Sequence, residues 1–261
     1  MLALDGLIWG CRLNIVQKTF VSLRKDGPVR TLRKILGYLS AQAEIREAQR
    51  IKKRILRHED LEGRFTEIYR LNSWGSGESA SGPGSSLAET KNLRERLPQL
   101  VEDLSIKTIF DAPCGDFNWM KHVIHRLKVE YIGGDIVAPM IEENRKVFGA
   151  GNIRFIHIDL VTGSFPQVDL VICRDCLFHL SYADALQVLH NFCKSGSSYL
   201  LTTTHLNADE FVNVDIATGD FKDIDLFLPP YNLPEEALYR IPDGRKAMCL
   251  WTRSQVAAAL T

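Results

Sequence analysis

Apolar residues recur three or four apart at Leu32, Ile35, Leu36, Leu39, Ile45, Ala48, Ile51 and Ile55. That period predicts an amphipathic helix over 31–57, with Gly37 as its weak point. A shorter helix is predicted over 61–71. Residues 73–86 break the period, being rich in Gly and Ser. Such a composition makes a flexible linker. Trp74, Glu78 and Pro83 are poor linker residues, however, so a structured lid or cofactor-contacting loop is the competing expectation.

From residue 87 the pattern changes again. A helix over 87–103 precedes apolar runs at 108–112, 130–135, 153–158, 169–173 and 198–203. Helical periods fill the gaps near 118–127, 138–147 and 182–194. Strand alternating with helix argues for an α/β fold with a doubly wound, mostly parallel sheet and right-handed crossovers. The chain therefore reads as a helical N-terminal segment (1–72), a Gly/Ser-rich loop or lid (73–86) and an α/β domain (87–261).

The run Thr108-Ile-Phe-Asp-Ala-Pro-Cys-Gly-Asp-Phe-Asn-Trp119 reads as a strand, a small-residue turn and the start of a helix. The next strand, Tyr131-Ile-Gly-Gly-Asp-Ile136, ends in an acid twenty residues after Gly115. This is close to the offset at which such sheets put a carboxylate on a nucleotide's ribose hydroxyls. Only Gly115 of a Gly-x-Gly-x-x-Gly pattern is present, and Asp111 and Asp116 flank it. Two acids would repel a diphosphate, which wants bare N–H groups at a helix start. They would accommodate a cationic ligand, such as the sulfonium and ammonium groups of S-adenosylmethionine.

At these residues the chain resembles the class I, Rossmann-like S-adenosylmethionine-dependent methyltransferases, from about Thr108 to Thr204. The resemblance implies a cofactor set of Asp111, Ala112, Cys114, Gly115, Trp119, Asp135, Ile136, Asp159, Leu160 and Arg174. Within it Asp135 would hold the ribose, and Asp159, after Phe155-Ile-His-Ile-Asp-Leu160, would meet the adenine amino group. The N–H groups of the 73–86 loop would be open to the cofactor's carboxylate. The sequence departs from the family's loop at Pro113 and Phe117, where glycines are common. The family's antiparallel closing hairpin would fall at Ile224–Phe227 and Ala247–Trp251. A narrower resemblance joins Asn72-Ser-Trp-Gly-Ser-Gly-Glu-Ser-Ala-Ser-Gly-Pro-Gly-Ser85, the Asp111–Trp119 loop and Leu228-Pro-Pro-Tyr-Asn-Leu-Pro234. It points to a branch of bacterial and viral methyltransferases found among glycan-assembly enzymes, which implies a sugar hydroxyl as acceptor.

An alcohol acceptor must lose a proton, and a neighbouring base assists. The end of the fourth strand lies beside the methyl group in this fold. His179, four residues after Asp175, is the expected base, with Asp175 as its orienter or a substrate contact. The competing reading has His179 packing at the rim and Asp175 capping a helix. His205, at the end of the next strand, is the rival base. Aromatic residues in Phe227–Tyr231 would line a sugar site or pack the C-terminal lobe. A small-molecule alcohol or amine is the alternative acceptor. A non-catalytic module that docks through a basic leader is the alternative from another class.

Hydrophobic content of 45% and zero net charge describe an ordinary globular protein with no bias toward nucleic acid. The charge is uneven, because residues 1–60 hold 13 Lys and Arg against 6 Asp and Glu, leaving −7 on the rest. That leader fits contact with a membrane or an anionic partner, and equally a solvated helical arm. Residues 2–22 are apolar but interrupted by Asp5, Arg12 and Lys18, which argues against a spanning helix or secretory signal. A peripheral helix there would use Trp9 and Phe20 as anchors. The six cysteines show no disulfide framework. Cys173-Arg-Asp-Cys176 has no second pair to make a zinc site, and no metal is expected. A reducing cytoplasm fits best.

Overall fold

A computed structural model describes residues 3–206 and 210–261, with the side chains of 3–21 and 23–26 outside that description. The expected anchors Trp9 and Phe20 therefore lie outside the described residues. Two compact units result, Met1–Lys53 and Arg54–Thr261.

The first unit is built on helix α1 (Ala3–Ile55), which breaks at Gly27 (φ 76, ψ 168) rather than at Gly37. Pro28 is the cause, since the ring of a proline pushes the preceding residue out of the helical region. The Thr31 hydroxyl donates to the Gly27 carbonyl at 2.9 Å, which secures the restart. Leu32, Leu36 and Leu39 of the predicted stripe are exposed. Among the described residues no helix is long and apolar enough to cross a membrane.

In the second unit, α2 (Leu61–Leu71) starts where Asp60 accepts the Gly63 N–H and ends at Asn72 in the left-handed region. Arg64 on this helix donates to the Thr218 carbonyl at 3.1 Å, so α2 belongs with the α/β unit. Helix α3 (Lys91–Asp103) begins four residues later than the apolar period implies. The preceding residues serve the 73–86 loop instead, with the Leu87 N–H donating to Glu78 at 2.7 Å.

Then follow β1 (Thr108–Asp111), α4 (Ile124–Leu127), β2 (Glu130–Asp135), α5 (Ala138–Phe148), β3 (Ile153–His157), β4 (Leu170–Cys173), α6 (Tyr182–Ser195) and β5 (Tyr199–His205). The chain closes with β6 (Tyr239–Asp243), β7 (Lys246–Thr252) and α7 (Arg253–Ala259). The seven strands lie in the order β3-β2-β1-β4-β5-β7-β6. Neighbours among the first five pair in parallel, and β7 pairs antiparallel with β5 and β6. Both faces are covered, as a parallel sheet requires. Ile109 and Phe110, adjacent on β1, point to opposite cores, Phe110 joining Trp251 and Phe192 and Ile109 joining Leu97 and Tyr131.

The closing hairpin differs from expectation on one side. Ala247–Trp251 lies in β7, but Ile224–Phe227 is not a strand. Ile224 and Leu226 are buried in a loop whose N–H groups donate to His205 Nδ1 (3.0 Å) and the Thr204 hydroxyl (2.9 Å). The other arm is Tyr239–Asp243, an edge strand whose alternating exposure makes its apolar signal weak. The Asp243-Gly244 pair between the arms is the turn signal that marks it.

Trp251 is fully buried between the sheet and the C-terminal lobe, and its indole N–H donates to the Pro234 carbonyl at 2.8 Å. Urea unfolding of Trp251→Ala is expected to show a loss of about 3–5 kcal/mol, the usual cost of emptying a large aromatic site.

Candidate active site

Strand order reverses between β1 and β4, and a cavity of about 350 Å³ opens at the carboxyl ends of the strands there. Its first half is built from β1, β2 and β3. Gly115 turns the chain after β1 with φ 57, and a side chain there would meet the Ser81 hydroxyl at 2.1 Å. Its N–H donates to Asp135 Oδ2 at 3.1 Å, and the Val137 N–H donates to Oδ1 at 3.0 Å. Asp135 is buried, and burial raises its pKa to about 6 despite these bonds. Each oxygen keeps a free lone pair for a ligand hydroxyl. Ile136, Met140, Ile158 and Leu160 supply an apolar slot beside it, with Cys114 and Trp119 on the same wall. Asp159 faces this slot while accepting from the Val161 N–H (2.9 Å) and the Thr162 hydroxyl (2.8 Å).

Asp111 and Ala112 do not line the cavity. Asp111 is buried behind it and accepts the Tyr131 hydroxyl at 2.7 Å, and burial raises its pKa to about 7. Asp116 is occupied elsewhere too, by the 79–81 backbone and side chains. The acids flanking Gly115 thus do not present a joint negative charge to the cavity, and Asp135 lines it instead. Phe117, at φ 59, is a core residue whose ring packs at a tilt against Tyr131 and Phe148 and edge-on against Phe155.

The 73–86 segment is a folded roof. Ala80 to Ser85 line the cavity from above. The N–H groups of Ala80, Ser81, Gly82, Ser85 and Ser86 are all used within the protein, so the loop is not the array of free donors its composition offers.

The second half surrounds the end of β4. Arg174 is buried and pairs with Asp243 (2.9 Å) and Asp175 (3.1 Å), yet its Nε–H has no partner among the described residues. Asp175 sits at φ 49 and is gripped by Lys246 Nζ at 2.8 and 2.9 Å and by the Thr203 hydroxyl at 3.0 Å. Burial opposes its charge, but Arg174 and Lys246 outweigh burial and hold its pKa below the usual value. Asp175 does not orient His179. The imidazole Nδ1 lies 2.9 Å from the Asp220 carbonyl, which only accepts, so Nδ1 carries the proton and Nε2 is the basic nitrogen. Trp74 stacks on this ring at 5.3 Å, with Phe178 at 4.6 Å and Phe221 at 5.8 Å. Burial lowers the His179 pKa, against the pull of the Asp220 carbonyl and Asp175. The acid–His pair read from their spacing is thus replaced by a backbone carbonyl, and the ring is kept neutral.

His205 is buried away from the cavity with both nitrogens engaged, Nδ1 by the Ile224 N–H (3.0 Å) and Nε2 facing Asp223 (3.4 Å). Phe227 and Tyr231 do not line the cavity either. Tyr231 is fully buried, and Phe227 lies under the Arg240 guanidinium and against Trp251. The aromatic walls come instead from Phe65, Tyr69, Trp74 and Phe221. Lys246 and Asp243 were missed from sequence, although the Asp-Gly turn between their strands was a usable sign.

Residues 109–196 match the profile of a methyltransferase domain. Its enzyme class transfers methyl groups from S-adenosylmethionine. The fold is similar to that of an O-methyltransferase family protein from Burkholderia thailandensis, at 15% identity over 81% of this chain and 70% of that one (TM-score 0.50). Human N-acetylserotonin methyltransferase in complex with SAM aligns at 13% identity over 71% and 57% of the two chains (TM-score 0.47). The N-terminal domain of EvdMO1, in the presence of SAH and D-fucose, aligns at 14% over 61% and 81% (TM-score 0.45). At these identities the likeness is one of fold. A search of curated proteins finds no match.

The residues lining the cavity fit S-adenosylmethionine. Asp135 has lone pairs for two ribose hydroxyls, the apolar slot takes a flat base, and the orphaned Arg174 Nε–H matches a carboxylate. Among the described residues no group of three or more His, Cys, Asp or Glu stands close enough to hold a metal ion. In an NMR titration the His179 imidazole is expected to have its midpoint below the ordinary 6.5.

Proposed function

We propose that the protein is an O-methyltransferase that acts on a hydroxyl of a sugar or glycan. The observation that carries this reading is the basic Nε2 of His179, in a ring kept neutral by burial in the cavity that Asp135 also lines. When bound, S-adenosylmethionine supplies a methyl group activated by its sulfonium. Asp135 would accept hydrogen bonds from its ribose hydroxyls, Asp159 would accept from its adenine amino group, and the Arg174 Nε–H would donate to its carboxylate. His179 accepts the acceptor's hydroxyl proton at Nε2 while the Asp220 carbonyl keeps the ring in register. Much of the rate comes from holding that hydroxyl in line with the methyl group, a task for the roof and the aromatic walls.

Aromatic rings at Phe65, Tyr69, Trp74 and Phe221 support the sugar, because ring faces stack on the C–H faces of pyranosides. Lys246 and Asp175 neutralise each other at the far wall, so the acceptor end carries no net charge of its own from this pair.

Asp135→Ala is expected to abolish S-adenosylhomocysteine binding by calorimetry, and normal binding would refute the cofactor site. His179→Ala should bind normally and lose roughly a hundred- to ten-thousandfold in turnover on a glycoside panel with labelled methyl donor. A fully active variant would favour an amine acceptor. Wild-type activity should fall as pH drops through the His179 pKa, below 6.5, because the protonated ring cannot act as base.

A further inference from the structure

Asp116 invites a role that neither its position after Gly115 nor the domain's class assigns. Its carboxylate is held by the roof. Oδ1 accepts the Ser79 hydroxyl at 2.9 Å and the Ser81 hydroxyl at 3.3 Å, and Oδ2 accepts the Ala80 N–H at 2.8 Å. The clasp is reciprocal, because the Asp116 N–H donates to the Ser81 hydroxyl at 3.0 Å. Two residues on, Asn118 donates to the Ser85 carbonyl (3.0 Å) and to Glu78 (3.1 Å), which closes the other end of the same segment.

Between these two ties the roof is fitted to what lies beneath. Gly82, at φ 92, passes so close to Trp74 that a side chain would stand 3.1 Å from its Cβ. Gly84 passes over Asp175, where a side chain would stand 2.6 Å from the carboxylate. Trp74 in turn covers His179. A continuous set of contacts thus runs from the loop after β1, through the roof, to the ring at the acceptor end.

We propose that Asp116 is a positioning residue, clasping the roof over the cavity so that Trp74 keeps His179 shielded from water. It acts through Ser79–Gly84 and does not touch the methyl donor. A carboxylate is required because four donors, the Asn118 N–H at 3.3 Å among them, converge on two oxygens, and an amide would turn an N–H₂ group toward at least one of them. The inference rests on the reading of the cavity as a methyl-donor and acceptor site. The charged groups facing His179 are Asp175 after β4, Lys246 on β7 and Asp220 in the loop between β5 and β6, and opening the clasp by substitution at Asp116 or Ser81 replaces none of them. A rise in the titration midpoint would therefore report solvent entry.

The test compares Asp116→Ala and Ser81→Ala with the wild type. Ser81→Ala keeps the Asp116 charge and removes a roof-side partner, so it guards against a misfolded Asp116→Ala. In both, amide hydrogen exchange at 80–86 should quicken by about tenfold or more, as expected when a local tie is lost. The His179 midpoint should move up toward 6.5. S-adenosylhomocysteine affinity in Asp116→Ala should stay within about threefold, since no direct contact is removed. Unchanged exchange with an unmoved midpoint in both variants would overturn the proposal. So would an affinity loss above about tenfold with exchange unchanged, which would make Asp116 a direct donor contact. Wild-type protein that does not bind S-adenosylhomocysteine refutes the methyl-donor reading separately, while exchange and titration still judge the clasp.

Discussion

The bond from the Gly115 N–H to the Asp135 carboxylate joins the turn after β1 to the tip of β2, and the cavity is arranged around it. Gly115 can make it because its left-handed backbone points the N–H at the acid while leaving space for the Ser81 hydroxyl. Asp135 tolerates burial because two backbone N–H groups compensate it. It still costs enough that the pKa rises to about 6, and a carboxylate under such pressure gains from each hydroxyl a ligand adds.

The acceptor end follows a different economy of charge. Arg174, Asp175, Asp243 and Lys246 form a compact set of ion pairs across β4 and the hairpin, joining strands far apart in sequence. Their mutual pairing leaves His179 in a largely apolar surrounding, where imidazole is more stable than imidazolium. The neutral ring is therefore a product of packing by Trp74, Phe178 and Phe221, not of a dedicated acid.

Most of the sheet was legible in the chain. Strands buried on both faces leave continuous apolar runs, and the acid that ends β2 stands at the expected offset from Gly115. The misreadings share a cause. Ile224–Phe227 is as apolar as a strand, but burial in a loop and burial in a sheet leave the same local composition. The edge strand β6 alternates with charged and half-exposed residues, so its pairing with β7 shows only in the Asp-Gly turn. The 73–86 segment has a linker's composition and a roof's structure, because its order comes from Asp116 and Asn118, more than thirty positions away.

The sequence alone determined the α/β alternation, the turn at Gly115 and the acid that ends β2 at Asp135, since each is written in neighbouring residues or short offsets. Tertiary structure alone decided that Asp175 pairs with Lys246, that Asp116 holds the roof and that His179 is oriented by a carbonyl at Asp220. Hydrogen bonds and ion pairs take whichever partner folding brings within about 3 Å. For polar groups that partner is seldom the nearest one along the chain.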